Sequence, residues 1–422
     1  MPVFTLRSRL DASPEAVRAW HERPGALERL TPPWERVDVE REAAGLAGEA
    51  AFRVHAGPLR FRWVARHEPI PDGFVDEQAR GPFRRWRHEH TFRSDGAGGT
   101  WLEDRIAWSS LLPPSLVRRR LDRMFRWRHE KTAREAGVRV APQAIGITGS
   151  HGMIGAALRA HLLGQGHRVV RLPRRVGASD LAGLDAVVHL AGESISKRWT
   201  KARKREILAS RVEPTRALVD ALAGSGVRAL VTASAIGFYG DRGEAEVDET
   251  SPRGAGFLAD VVEAWEREAG RAEGMGVRVV QARFGIVLSP RGGALKQLLL
   301  PFRLGAGGRI ASGRAWWSWV DLEDVVGALA FALREPALEG PVLVVAPHPV
   351  RNADFTRALA RALRRPAILP EPAFALRLGL GEMADELLLA SCRARPTKLL
   401  AAGYRFARPE LTGSLRAMLG RP

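Results

Sequence analysis

The chain has 422 residues, of which 45% are hydrophobic and 27% charged, and a formal net charge of +18. That length exceeds what one hydrophobic core usually fills, so two or more domains are expected. No apolar run reaches the ~18–20 residues of a membrane span, and the start MPVFTLRSRL alternates like a strand, so a cytoplasmic protein without a membrane span is expected.

The single cysteine, Cys392, can form neither an intramolecular disulfide nor a cysteine-based metal cluster, so an idle or buried thiol is expected and no metal ligands are assigned. The positive charge invites a nucleic-acid reading, because clustered Arg and Lys release counterions from phosphate backbones. Here the basic residues are nearly all arginine and are scattered along the chain. The densest run, Arg118, Arg119, Arg120, Arg123 and Arg126, shares a helix with Leu116, Leu121, Met124 and Phe125. It reads as a solvated helix face, and no nucleic-acid partner is expected.

In chain order, residues 3–10 alternate as a half-buried strand, and Ser13-Pro14-Glu15 opens a helix with a capping serine and a proline in the first turn. Strands are expected at 51–54, 61–67, 73–79, 86–93 and 100–108, where aromatic and β-branched residues run between Gly, Pro and Asp turns. A long helix is expected over 115–136, its apolar positions Leu116, Leu121, Met124, Phe125 and Trp127 turned to the sheet.

The segments Ala19-Trp20-His21-Glu22-Arg23-Pro24-Gly25-Ala26, Leu30-Thr31-Pro32-Pro33-Trp34, Gly81-Pro82-Phe83 and Met124-Phe125-Arg126-Trp127-Arg128-His129 resemble the START-like, polyketide cyclase-type domains. The resemblance implies a helix-grip fold, a curved antiparallel sheet wrapped around a long helix, with an apolar ligand cavity. The alternative is that these aromatics simply fill a core.

After a linker at 138–143 the pattern becomes strand, glycine-rich turn, helix, strand, as in a parallel sheet with crossover helices. The strand Ala144-Ile145-Gly146-Ile147-Thr148 runs into Gly149-Ser150-His151-Gly152-Met153-Ile154-Gly155, which opens a helix through Leu163. In this spacing Gly149 permits a tight turn, Gly152 lets the backbone approach a pyrophosphate, and Gly155 allows close helix–strand packing. The helix N-terminus then offers unpaired N–H groups to the phosphates. A second strand is expected at 167–172. At its end an acidic residue would bind a ribose 2′-OH and an arginine would suit a 2′-phosphate. The chain reads Arg171-Leu172-Pro173-Arg174-Arg175, so NADP(H) is expected through Arg174, with NAD(H) as the alternative. Leu190-Ala191-Gly192 resembles the small strand end that passes under the cofactor ribose in the short-chain dehydrogenase/reductase superfamily.

From Ala144 onward the chain resembles a poorly characterised branch of the extended short-chain dehydrogenase/reductases, of nucleoside-diphosphate-sugar epimerase type and with its own C-terminal segment. The motifs are Leu190-Ala191-Gly192-Glu193-Ser194-Ile195, Arg198-Trp199-Thr200, Ser234-Ala235-Ile236-Gly237-Phe238-Tyr239-Gly240-Asp241 and Pro301-Phe302-Arg303-Leu304-Gly305. The fold class expected is an α/β Rossmann domain, a doubly wound parallel sheet, with a small C-terminal α/β substrate lobe and an α+β helix-grip domain in front. The domains expected are 1–140, 144–335 and 336–422.

Short-chain enzymes normally use a tyrosine acid/base, a lysine four residues later that lowers its pKa, and a Ser or Thr that polarises the carbonyl. This chain has two tyrosines, followed four residues on by Gly243 and Arg408, so it contains no Tyr-x-x-x-Lys. At the expected helix positions stand Phe257 and Val261. The remaining catalytic candidates are Ser234, either a carbonyl-orienting donor or a strand-end cap, and Tyr239, either a proton carrier or a packing residue. Glu193 either caps the following helix or takes a proton. Three functions stay open: an NADP(H)-dependent oxidoreductase or epimerase acting on a small carbonyl or sugar-nucleotide, a non-catalytic NADP(H)-binding sensor or scaffold, and an apolar-ligand carrier. Oligomeric state is not legible.

Overall fold

A computed structural model describes residues 1–43, 45–57 and 59–421. The chain divides into two compact units. One comprises 1–142 with 159–167 and 417–421, and the other comprises 143–158 and 168–416.

The first unit is a seven-stranded antiparallel sheet in the order β1-β7-β6-β5-β4-β3-β2. Its strands are β1 (Val3–Leu10), β2 (Val37–Arg41), β3 (Gly48–Ala56), β4 (Leu59–Ile70), β5 (Gly73–Arg80), β6 (Arg85–Ser94) and β7 (Thr100–Ser109). Period-two alternation sends Trp86, His88, His90 and Phe92 of β6 to the buried face, and Leu102, Asp104, Ile106 and Trp108 of β7 to the same face. The helix α1 (Pro14–Glu22) starts at Ser13, whose hydroxyl accepts the Ala16 N–H at 3.4 Å. A single turn, α2 (Ala26–Arg29), follows it. The long helix α3 (Pro114–Glu135) buries Val117, Leu121 and Phe125 in one cluster with Phe4, Trp63, Trp86, Ile106 and Trp108. Most of the aromatics thus fill a core.

Two details differ from the sequence reading. Leu116 is 58% exposed, and its neighbour Val117 takes the inward place, because one residue along a helix turns a side chain by roughly 100°. The strand β2 was legible in the alternation Val37-Asp38-Val39-Glu40 but was not expected there. The arginines Arg118, Arg119, Arg120 and Arg126 are exposed, as a solvated face requires, whereas Arg123 of the same run is half-buried and donates to the Gly420 carbonyl at 3.1 Å. At the end of α3, buried Glu135 gathers Arg29, Lys131 at 3.5 Å and His161 at 3.4 Å.

The second unit holds a six-stranded parallel sheet. Its spatial order is Gly340–Val344, Arg278–Phe284, β11 (Ala229–Ala235), β10 (Ala186–His189), β8 (Ala144–Thr148) and β9 (Arg168–Arg171). Strands β10 and β11 are buried along nearly their whole length, as expected when helices cover both faces. Helices α4 (Met153–Gly164), α5 (Lys201–Leu222) and α6 (Phe257–Gly270) provide crossovers. Beyond β9 the chain makes only a 3-10 turn, Ala178–Leu181, so β9 is an edge strand.

The C-terminal residues of this unit are joined by short ladders, Glu246–Val247 with Arg393–Ala394 and Trp316–Trp317 with Val350–Arg351. They are also held by Asp324 on the helix Leu322–Arg334, whose carboxylate accepts the N–H groups of Ala407 at 2.6 Å and Arg408 at 2.9 Å. Burial, reinforced by Asp321, pushes Asp324 up to about 7. A carboxyl raised in the folded state above its unfolded value of about 3.9 takes up a proton that the unfolded chain does not, so stability rises as pH falls from about 7 toward 4. Denaturant titrations between pH 8 and 5 should therefore show the wild-type chain gaining stability relative to Asp324→Asn as pH falls. A parallel pH dependence in the two chains would rule this out.

Candidate nucleotide site

Strand β8 delivers the glycine turn from a buried position, with Ile145 and Ile147 fully covered. Gly149 has φ +64°, and a Cβ there would lie 2.7 Å from the Leu190 carbonyl oxygen. The turn therefore passes directly over the end of β10. A Cβ on Gly155 would meet the Gly149 oxygen at 2.3 Å, so the first turn of α4 can seat against the loop only with glycine. A Cβ on Gly152 would have just one neighbour within 4 Å, the Gly149 oxygen at 3.2 Å. The three glycines thus have separate tasks: a left-handed turn, an open approach and a close packing contact. Ser150 is buried, His151 is exposed, and Met153 and Ile154 are half-buried at the start of α4.

The floor of the site is tied by a buried chain of hydrogen bonds. Thr148 Oγ1 accepts the Leu190 N–H at 3.1 Å and meets His189 Nδ1 at 2.8 Å, while His189 Nε2 meets Thr215 Oγ1 at 3.0 Å. Burial pushes His189 down to about 4, so the ring is neutral, and Thr148 donates to Nδ1 while Nε2–H donates to Thr215. Trp265 Nε1–H reaches the same Thr215 oxygen at 3.0 Å. This network fixes the strand end Leu190-Ala191-Gly192 relative to the glycine turn.

Arg174 follows β9 and its side chain is 62% exposed, with Glu193 Oε1 at 3.4 Å. Arg174 and Arg175 line a cleft of about 340 Å³ with Glu206, Ala209, Ser210, Glu213 and Pro214. Glu193 does not cap the following helix. That role belongs to Thr200, whose hydroxyl accepts the Arg203 N–H at 3.1 Å, a contact of about 1 kcal/mol.

Both catalytic candidates converge on a pair that sequence reading missed. Ser234 Oγ donates to Glu266 Oε1 at 2.5 Å, and Arg283 Nη1 donates to the Tyr239 hydroxyl at 2.8 Å. Arg283 binds Glu266 through two nitrogens, at 2.8 and 2.7 Å, and stacks its guanidinium 3.6 Å from the Phe238 ring centre. Ser234 and Tyr239 are buried, and burial pushes the Tyr239 hydroxyl up to about 12. A signal existed: Ala259, Val262, Glu266 and Ala269 occupy one buried face of α6, and a lone carboxylate on such a face calls for a buried cation.

The positions of the missing Tyr and Lys lie in an apolar cluster. Phe257 packs edge-on against Trp199 at 5.1 Å, and Val261 is buried with Ile207 and Met383. The N-terminus of α6 is capped by Glu386, which accepts the N–H groups of Phe257 and Leu258 at 2.8 Å each. Cys392 is buried, and burial pushes its thiol up to about 12.

Residues 145–346 match the NAD dependent epimerase/dehydratase family. An epimerase family protein of Mycobacterium tuberculosis is 42% identical over 300 residues, covering 67% of this chain and all of that protein. The chain belongs to the epimerase family. Two further segments flank that homology in this epimerase-family chain: 10–131 match the polyketide cyclase/dehydrase and lipid transport family, and 372–418 match a domain of unknown function. The crystal structure of a nucleoside-diphosphate sugar epimerase from Corynebacterium glutamicum is similar with a TM-score of 0.82 and 32% identity, covering 99% of this chain and 90% of that one. That of human epimerase family protein SDR39U1 with NADPH gives a TM-score of 0.62 and 34% identity, covering 65% of this chain and 99% of that one. No helix among the described residues is long and apolar enough to cross a membrane.

Proposed function

We infer that this epimerase-family chain binds NADP(H) at the turn Gly149–Gly155 and acts as an oxidoreductase or epimerase-like protein on a small-molecule substrate without a Tyr–Lys pair. The observation that carries this reading is the division of labour among the three glycines, with the outer side of Gly152 open at the N-terminus of α4. The human relative crystallised with NADPH supports it. The backbone of Ser150, His151, Met153 and Ile154 would face the pyrophosphate, Leu190, Ala191 and Gly192 would pass under a ribose, and Arg174 would take the 2′-phosphate. NADP(H) supplies or accepts a hydride when bound.

Ser234 and Tyr239 enter this reading as positioning residues that act through Glu266 and Arg283. A proton would then come from another side chain, from water or from the substrate itself. The non-catalytic binding reading is favoured by one observation, the apolar packing of Phe257 and Val261 where proton-moving groups would stand. A separate ligand role for residues 1–140, beside a nucleotide domain at 144–335 and a substrate lobe at 336–422, is supported by the polyketide cyclase match.

Titration of the chain with NADPH and NADH should show tighter binding of NADPH. In Arg174→Ala, NADPH affinity should fall roughly 10- to 100-fold, the scale of about 1.5–3 kcal/mol for a charge-assisted hydrogen bond, with NADH little changed. Equal affinities in the wild-type chain would defeat the NADP(H) assignment. NADPH binding without turnover on ketones, quinones and nucleotide sugars would favour the non-catalytic reading.

A further inference from the structure

The first unit contains a polar cluster that the nucleotide site does not use. On β6, His88 and His90 share the buried face with Trp86 and Phe92, and antiparallel pairing sets His90 directly opposite Asp104 of β7. His88 Nε2 lies 2.8 Å and His90 Nδ1 2.6 Å from the same oxygen, Asp104 Oδ1. The three ligand atoms all lie within 4.8 Å of one another, and all three residues are buried. The second oxygen, Asp104 Oδ2, is held by His129 Nε2 at 2.5 Å, and His129 Nδ1 meets Ser8 Oγ at 2.8 Å.

We propose that His88, His90 and Asp104 form a site for one divalent transition-metal ion of the zinc class, with His129 as the residue that orients the carboxylate. Two imidazoles and a carboxylate are the donor set such ions take, at about 2.0–2.2 Å. Ligand atoms around a tetrahedral ion of that size stand roughly 3.3 Å apart, and the three here already converge to within 4.8 Å of one another, so binding calls for local side-chain adjustment and no movement of the strands. Hydrogen-bonding partners on the outer atoms of ligands are a regular part of such sites, and the His129–Ser8 pair on Asp104 Oδ2 has that form. Three protein ligands leave a fourth position for water or an oxygen-donor ligand.

The surrounding wall agrees with a wet or ligand-bearing fourth position. Asp76 of β5 pairs in register with His88 on one side and His67 of β4 on the other. Asp76 Oδ1 and His67 Nδ1 are both buried and find no hydrogen-bond partner among the described residues. Buried polar atoms in that state call for water or a ligand nearby. The rival is a metal-free hydrogen-bonded cluster, in which three imidazole N–H groups satisfy one carboxylate.

The test uses the full chain, stripped with a chelator and titrated with Zn²⁺ and, for its visible spectrum, with Co²⁺. The expected result is about one equivalent bound, with a cobalt spectrum typical of low-coordinate nitrogen and oxygen ligation. His90→Gln and Asp104→Asn should lose that equivalent while keeping the near-UV circular dichroism of the parent. His129→Gln should weaken it by roughly 10- to 100-fold, the usual effect of removing such an outer partner. The exposed His348→Ala should leave it unchanged. Should Asp104→Asn fail to fold, His90→Gln decides alone. Absence of stoichiometric binding in the parent, or binding undiminished in a folded His90→Gln, would overturn the proposal in favour of the metal-free cluster.

Discussion

Gly152→Val is expected to abolish detectable binding of both NADPH and NADH while changing the stability of the ligand-free chain by about 1 kcal/mol or less. At this position a Cβ would touch a single atom, the Gly149 oxygen at 3.2 Å, so the fold has room for a small adjustment. The branched methyl groups of valine would instead fill the space in front of the α4 N-terminus, where a pyrophosphate must come within hydrogen-bonding reach of backbone N–H groups. Gly155→Val makes the informative contrast. Its Cβ would overlap the Gly149 oxygen at 2.3 Å and crowd the Ser150 Cα at 2.9 Å, both backbone atoms that cannot swing away. That variant should lose binding and also about 1–3 kcal/mol of stability, the usual cost of overpacking. Fluorescence titration and thermal melts of the two variants separate the roles. A Gly152→Val chain that still binds NADPH would remove the glycine turn as the nucleotide site.

Glu266→Ala should be among the most damaging single changes in the second unit, costing about 3–5 kcal/mol. The cause is the group left behind: Arg283 has a side-chain exposure of 3%, and guanidinium does not give up its proton. Without Glu266 its remaining side-chain hydrogen-bond partner among the described residues is the Tyr239 hydroxyl, together with the Phe238 face. Ser234 Oγ would lose its acceptor at the same time. Glu266→Gln should cost less, since the amide oxygen can still accept from Arg283 or Ser234. Ser234→Ala should cost about 1–3 kcal/mol, because it removes one donor from a carboxylate that retains two others. Denaturant unfolding of the three variants gives the order. A loss below about 1 kcal/mol for Glu266→Ala would mean that water reaches Arg283 and that the pair is not a buried one.

The parts of this chain that were legible in its sequence were those where local chemistry dictates geometry. The alternation in 86–93 and 100–108 specified the inner faces of β6 and β7, and Gly149, Gly152 and Gly155 announced a strand-to-helix turn because each stands where a side chain would collide or obstruct. The illegible parts depend on contacts between distant residues. Nothing local to Ser234 says that its hydroxyl turns toward a carboxylate 32 positions later, and nothing around Phe257 says that its backbone is capped from residue 386. The histidines of β6 were likewise visible only as alternating residues, since their meeting with Asp104 and His129 requires the register of one pair of strands and the seating of α3. Leu116 shows the smaller kind of error, where several apolar neighbours compete for one inward direction and only packing chooses.

The carboxylate of Glu386 has a consequence for what can approach α6. The first amides of a helix carry the positive end of its dipole, equivalent to roughly half a charge, and ordinarily welcome an anion. In this chain that vacancy is filled from within, by a side chain at 2.8 Å from two of those amides. A phosphate or carboxylate group arriving at this end of α6 would meet a like charge and would have to displace a bidentate internal partner. The positive end of α6 is thus already neutralised from within the chain and is not left open to an anion.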